Sequence, residues 1–364
     1  MRKFLTFTLV FLFLFSSFSL PALAQDTEES GLTLEKAIEM ALSHSPSLKQ
    51  ADYDVDRSEE VKELAERQAN LVVPPGPITI DVWTVVTNAH VKNLSWRMAE
   101  KTRDITRDSV TMSAFQKYID VLKAQEALSN AEKACSAAKR KYAMEQARYS
   151  VGMSSKLSVS QVQAQHSTAS ATLEAAKKSM DTAYQNLNYL LGLPSDKRLP
   201  LVDKPQYNPT TVTDVMSRIE QIIDDSPALW LKDSSADMAK MTLSMYNWST
   251  ATEPYEAKHI DLKKAELTAL DAKDQARLLL NSTHASIKNL EENYTAAQLS
   301  LQTAQENLRI QKLMFDAGMN TQTDVMDAEV EVAKAQKALD DIIYQHEILK
   351  LAFVKPWAYT ASND

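Results

Sequence analysis

The chain has 364 residues, of which 44% are hydrophobic and 24% charged, with a formal net charge of −8. Acidic and basic residues are interleaved, which leaves no basic footprint and excludes a nucleic-acid-binding surface. Only 5 Gly, 12 Pro and a single Cys are present, so neither a loop-rich globular fold nor an intramolecular disulfide is available.

Arg2 and Lys3 precede an apolar run from Phe4 to Leu20, which ends in Pro21-Ala22-Leu23-Ala24. Charged, apolar and small residues in that order predict a secretory signal peptide over residues 1–24, cleaved after Ala24; an uncleaved anchor is the competing reading. The remaining chain has no apolar run near the ~20 residues that a spanning helix needs.

A first helical repeat is expected over 25–193. Ser45-Pro46 opens a helix within it, with Ser as cap and Pro in the first turn, where its missing N–H is harmless. Between Leu71 and Trp96 the pattern breaks. Ile78 to Thr87 reads as one strand, entered through Val73-Pro74-Pro75-Gly76-Pro77, as suits an edge or turn. From about Asp104 to Tyr149 a helix of roughly 70 Å is predicted at 1.5 Å per residue. Cys135 falls in line with Leu128, Ala131, Ala138 and Tyr142 and reads as a small packed hydrophobe. The tip of a hairpin is placed near 150–158, at Val151-Gly152-Met153. Val159, Val162, His166, Ala169, Leu173, Ala176, Met180, Ala183, Leu187 and Leu190 then alternate steps of three and four, the seam of a coiled coil. His166 is read as a packed seam residue.

Residues 194–213, Pro-rich and without period, form a linker. A second helical repeat is expected over 214–355, with its tip near 316–324 at Ala317-Gly318-Met319. Its seams are Ile287, Leu290, Tyr294, Ala297, Leu301, Ala304 and Leu308, then Val325, Ala328, Val332, Ala335, Leu339, Ile342, His346 and Leu349. Glycine and proline cost about 1 and 3 kcal/mol inside a helix, and both are absent from these seams. Gly152 and Gly318 suit the left-handed residue that ends a helix, and Asp324 suits the cap of the next. Residues 356–364 are a C-terminal tail. Trp83, Trp96 and Trp248 are either membrane-interface anchors or packed ends of a helical bundle.

The two repeats are a duplication. Ile38-Glu39 and Ser45-Pro46-Ser47-Leu48 match Ile219-Glu220 and Ser226-Pro227-Ala228-Leu229. No phosphate loop, nucleophile elbow or metal-ligand spacing occurs. No catalytic residue, cofactor or metal ligand is therefore assigned, and an enzyme is not expected.

Leu32-Thr33-Leu34-Glu35-Lys36-Ala37-Ile38, followed by Ser45-Pro46-Ser47-Leu48, resembles the opening of TolC-like outer-membrane efflux proteins. Tyr189-Leu190-Leu191-Gly192-Leu193-Pro194 resembles the end of their first repeat. The two Gly-Met turns are similar to their two tips, and Asp324-Val325-Met326-Asp327-Ala328 to the helix after the second. The resemblance implies an all-α chain of two antiparallel long coiled-coil hairpins, assembling as a homotrimer into a hollow helical cylinder. It implies a passive exit duct of a tripartite efflux or type I secretion system in the outer membrane and periplasm. It further implies tips (Val151, Gly152, Met153, Ala317, Gly318, Met319) that dock on a periplasmic adaptor, and an acidic ring of Asp324 and Asp327 at the entrance.

Two departures bear on function. The family places a pair of barrel strands in each repeat, each about 9–11 residues long, and neither repeat here has room for a pair. The second offers only Met241 to Tyr255. The positions that lock the family's entrance are occupied by Ser158, Phe315 and Asn320, which lack the carboxylate, hydroxyl and charge of the family's lock. A non-conducting, structural or adaptor-like coiled-coil protein of the cell envelope is the alternative function.

Overall fold

The computed structural model describes residues 31–72, 80–211, 214–248 and 251–361; the expected signal peptide lies outside them. The helices in order are α1 (Leu34–His44), α2 (Pro46–Val72), α3 (Ile80–Ser150), α4 (Lys156–Leu191), α5 (Val215–Asp225), α6 (Pro227–Ser244), α7 (Tyr255–Asp316), α8 (Gln322–Val354) and α9 (Pro356–Ala361). No strand occurs among the described residues, apart from an isolated parallel bridge between Leu32 and Leu201. The chain is all-α.

The duplication is visible in three dimensions: α1 to α4 and α5 to α8 repeat the same order of a short helix, an arm, a long helix and a return helix. Ser45 and Ser226 play the same part in each. Their hydroxyls accept the N–H groups of Leu48 and Leu229, at 3.2 and 3.4 Å, and a proline follows at the first helical position, where an N–H would be unsatisfied anyway. Each repeat folds into two antiparallel pairs. α3 packs on α4 and α7 on α8 toward the tips; α2 packs on α3 and α6 on α7 toward the opposite end. The arms α2 (27 residues) and α6 (18 residues) set the length of that end.

One sequence expectation is overturned here. The strand predicted from Ile78 to Thr87 is helix from Ile80 onward, and α3 runs for 71 residues, about 105 Å. The β-branched run misled because its alternation coexists with a helical period. Val82, Thr87 and Ala89 are buried, with Val85 and Val86 half-buried between them, so spacings of three to five put them on one face against α2. Packing along that face overrides β-propensity.

The seams pack as coiled-coil seams should. From Glu292 to Asp316 the non-exposed residues of α7 are Tyr294, Ala297, Leu301, Ala304, Leu308, Gln311 and Met314. α8 carries a second stripe, Asp327, Val330, Ala333, Lys337, Asp340 and Tyr344, turned toward α3. Asn130 on α3 donates to the Ala333 carbonyl at 3.2 Å, and the Tyr344 hydroxyl donates to Glu126 at 2.6 Å. Toward the tips the chain is thus a layer ordered α4–α3–α8–α7. α4 and α7 are its edges, each with an outer face that stays exposed.

The core sits at mid-length, where short elements wrap the long helices. Leu32, Ala37, Ala41, Val110, Ala114, Tyr118, Ile119, Leu122, Tyr184, Leu187 and Leu191 form one cluster; Ile219, Ile222, Ile223, Leu229, Leu280, Ile287 and Phe353 form another. The segment after α4 is extended and fastened across both. Leu32 N–H donates to the Pro200 carbonyl at 2.7 Å and Val202 N–H to the Leu32 carbonyl at 3.2 Å. Further along, Tyr207 stacks on Tyr294 with ring centroids 3.7 Å apart. The C-terminal tail opens with a helix: α9 docks on α3 through Trp357 Nε1, 2.8 Å from Asp108.

Candidate functional site: the hairpin tips

Both tips use one backbone device. At the first, Gly152 N–H reaches the Tyr149 carbonyl at 3.0 Å and Met153 N–H the Arg148 carbonyl at 2.8 Å. At the second, Gly318 N–H reaches Phe315 at 2.9 Å and Met319 N–H reaches Met314 at 2.8 Å. This double closure satisfies carbonyls left over at a helix end and requires a left-handed residue. Gly152 has φ of 79° and Gly318 of 72°. A Cβ at either position would meet nothing within 4 Å, so the cost of a side chain is backbone strain alone. Gly152→Ala and Gly318→Ala are each expected to destabilise their tip by about 1 kcal/mol, read as faster amide exchange at the turn with the thermal midpoint of the core unchanged. A drop in the global midpoint would contradict that.

The return helices start differently. Ser155 accepts the Ser158 N–H at 3.1 Å and caps α4. At α8 the cap residue is Thr321, and Asp324 is its partner three positions on, accepting the Thr321 N–H at 2.8 Å and its hydroxyl at 2.6 Å. Thr321-x-x-Asp324 is a capping box. Those bonds, the hydroxyl first, hold the Asp324 carboxyl below its ordinary range, with Lys141 adding to the effect.

The candidate residues are distributed as follows. Val151, Met153 and Met319 project into solvent, Met153 at 74% and Met319 at 69% exposure, and Leu157, Leu313 and Phe315 extend the same apolar surface. Asp327 forms an ion pair with Lys141 at 2.6 Å, tying α8 to α3 just behind the tips. Ser158 and Ser154 both donate to Glu145, and these hydroxyls lower the Glu145 pKa. Asn320 donates to the Gln311 carbonyl and side chain at 3.0 and 2.7 Å. Ser158 and Asn320 therefore bond within their own hairpins, and the Phe315 ring is exposed. His166 is half-buried against Tyr142, with ring centroids 6.0 Å apart.

Lys141, Glu145 and Thr321 are tip residues that the sequence reading did not single out. Thr321 was detectable from the capping-box spacing. Lys141 carries no local signal, because its partner lies on a helix of the other repeat.

Comparisons with known proteins agree with this geometry. Residues 83–193 match the family model described as outer membrane efflux protein, a family of channels and not enzymes. No curated protein matches in sequence. Among solved structures, a membrane protein from Pseudomonas aeruginosa superposes with a TM-score of 0.67 at 13% identity, covering 89% of this chain and 93% of its own. The outer membrane protein VceC from Vibrio cholerae gives 0.65 at 16% identity, covering 89% and 95%. The Campylobacter jejuni CmeC outer membrane channel gives 0.65 at 14% identity, covering 90% and 86%. At such identities the likeness is one of fold. Residues 83–193 are thus similar to the outer membrane efflux protein domain, and the described residues take a fold like that of the TolC-like channels, with no barrel strand among them.

Proposed function

We propose that this chain is one stave set of a homotrimeric exit duct in the cell envelope, passing substrates handed to it by a pump through a periplasmic adaptor at the tips. The observation that carries the reading is the one-sided packing of α4 and α7. Each is an edge of the α4–α3–α8–α7 layer, and α7 exposes Leu278, Leu299, Ile310 and Leu313. Apolar residues left open along the α7 edge mark an association surface, and that edge joined to the α4 edge of a neighbouring copy closes a ring. The exposed methionines and valine of the tips fit an adaptor contact. The exported protein is expected to be a trimer by native mass measurement at micromolar concentration, and a stable monomer would end the duct reading.

The non-conducting envelope protein is a second reading with an observation in its favour. α2 and α3 are joined by only seven residues and α6 and α7 by ten, whereas one membrane strand takes about 9–11 residues. No described helix is long and apolar enough to cross a membrane. Conductance in planar bilayers separates the two. For a duct, Asp324 and Asp327 of neighbouring chains approach one axis, and clustered carboxylates favour cations. Replacing both with Asn then reduces cation selectivity while the trimer persists. A wild type that never conducts favours the second reading.

A further inference from the structure

Toward the tips the two repeats meet along one seam, α3 against α8. Lys141 and Asp327 cross it near the tips at 2.6 Å, and Asn130 reaches the Ala333 carbonyl further back at 3.2 Å. Deeper still, the Tyr344 hydroxyl donates to Glu126 Oε1 at 2.6 Å, and Lys204 of the linker reaches the same oxygen at 3.1 Å. The other oxygen of that carboxylate, Glu126 Oε2, is buried and has no hydrogen-bond partner. Buried acceptors are nearly always satisfied, so this oxygen marks a donor still to be named.

The group placed to supply it is Asp340, one turn before Tyr344 on the same α8 stripe. Glu126 and Asp340 line one cavity of about 640 Å³ between the helices. Asp340 Oδ1 accepts from Gln336 Nε2 at 3.0 Å, which leaves Oδ2 for a proton. Burial raises the Asp340 pKa from its ordinary 3.8, and the Glu126 charge raises it further; Gln336 and Lys204 pull it down, and Asp341 pushes it up again. The neighbouring cations are already engaged. Lys204 is largely exposed and bonded to Oε1, and Lys337 on α8 is bound to Asp341. Glu132, Lys133 and Glu329 line the cavity nearer the tips, and Glu329 is paired with Lys312 at 3.5 Å. From α7 only the uncharged Leu308 faces it. Two carboxyl groups in one partly dry site repel when both are ionised, which favours holding a proton between them.

We propose that Glu126 and Asp340 share one proton across the α3–α8 seam, the Asp340 carboxyl donating to Glu126 Oε2, so that acid tightens the joint between the repeats. The proton comes from solvent and returns to it as pH rises, leaving two carboxylates face to face and a looser joint. The sign follows from the raised Asp340 pKa. Below 3.8 the carboxyl is neutral in folded and unfolded chains alike. Above 3.8 the unfolded chain ionises first, so stability falls with rising pH until Asp340 ionises in the fold as well. The device belongs to the protomer and does not depend on the duct reading; in a duct it sets how readily the second hairpin parts from the first.

Infrared difference spectra of the full-length protein, wild type minus Asp340→Asn, isolate this one carboxyl. A carboxylic-acid band is expected, titrating above 3.8. Glu126→Gln should move that titration back toward 3.8, and by more than Asp341→Asn does. Asn at position 340 cannot ionise, and its amide can donate to Oε2 as the carboxyl does. Asp340→Asn should therefore unfold about 2 °C above wild type at pH 7, an advantage that vanishes below pH 3.8. Amide exchange along α8 from Val330 to Tyr344 should be roughly threefold faster in wild type than in Asp340→Asn at pH 7, and equal in acid. Circular dichroism of each variant should match wild type. The proposal is overturned by the absence of a band above 3.8, by a titration that Glu126→Gln leaves in place, or by equal exchange at pH 7. A monomer that shows the titration ends the duct reading and leaves this one standing; a conducting trimer without it does the reverse.

Discussion

Replacing Tyr118 with alanine is expected to destabilise the protein by about 4 kcal/mol or more, measured by urea unfolding followed by circular dichroism. Tyr118 on α3 is fully buried in the mid-length cluster, and truncating a buried aromatic to alanine costs about 3–5 kcal/mol through lost transfer and the cavity left behind. Its hydroxyl adds to that, donating to the Leu32 carbonyl and accepting the Asp203 N–H, both at 3.0 Å. One phenol thus binds three pieces of chain: α3, the segment before α1 and the linker between repeats. Burial pushes its pKa up, so it stays a donor at neutral pH. Tyr118→Phe isolates the hydroxyl. The Leu32 carbonyl keeps Val202 N–H as a partner, the Asp203 N–H does not regain one, and the expected loss is about 1 kcal/mol. If Phe costs as much as Ala, the packing account is wrong; if neither shifts the midpoint, the cluster does not limit stability.

Glu291 is expected to give the protein a distinct acid transition. This carboxylate on α7 is mostly buried, which alone would raise its pKa. Lys288 at 2.7 Å, the Thr210 N–H at 2.8 Å and His346 Nε2 at 3.5 Å outweigh burial and hold it at about 2, from an ordinary 4.5. The sign follows from that direction. An unfolded chain binds the proton more readily than the folded one below pH 4.5, so the contribution is fully present above 4.5 and disappears as pH falls through about 2. A shift of this size, discounted for the solvent that reaches its open side, amounts to about 2 kcal/mol. Glu291→Gln should lower stability by about that much at pH 7 and flatten the loss between pH 4.5 and 2. Other lowered carboxylates, Asp214 and Glu220 among them, are common to both proteins and cancel in the difference. Parallel wild-type and variant curves across that range would refute the assignment.

The His346 environment shows where sequence reading stops. Its place in the α8 seam was legible from spacing, and it is fully buried. What it touches was not. Nδ1 lies 3.2 Å from Glu347 and Nε2 faces Glu291 across the α7–α8 interface, while the Tyr207 ring from the linker sits 5.2 Å away, centroid to centroid. At the tips the same division holds. The Gly152 and Gly318 turns follow from local rules of helix termination, but the Lys141–Asp327 pair joins residues of different repeats.

By itself, the sequence determined that the protein is a duplicated set of long amphipathic helices with two glycine-ended tips. The reason is that helix period, capping and the cost of Gly and Pro are local, and each is written within a few residues. The tertiary structure alone decided that α3 begins at Ile80, where a strand was expected, because burial against α2 chose between two periods that the same valines satisfy. It alone decided that α8 pairs with α3 through a stripe containing Asp327, Lys337, Asp340 and Tyr344, a stripe too polar to register as a seam. Such faces are stabilised by particular partners brought from far along the chain, as Lys141 is brought to Asp327 and Glu126 to Tyr344, and no local pattern encodes those partners.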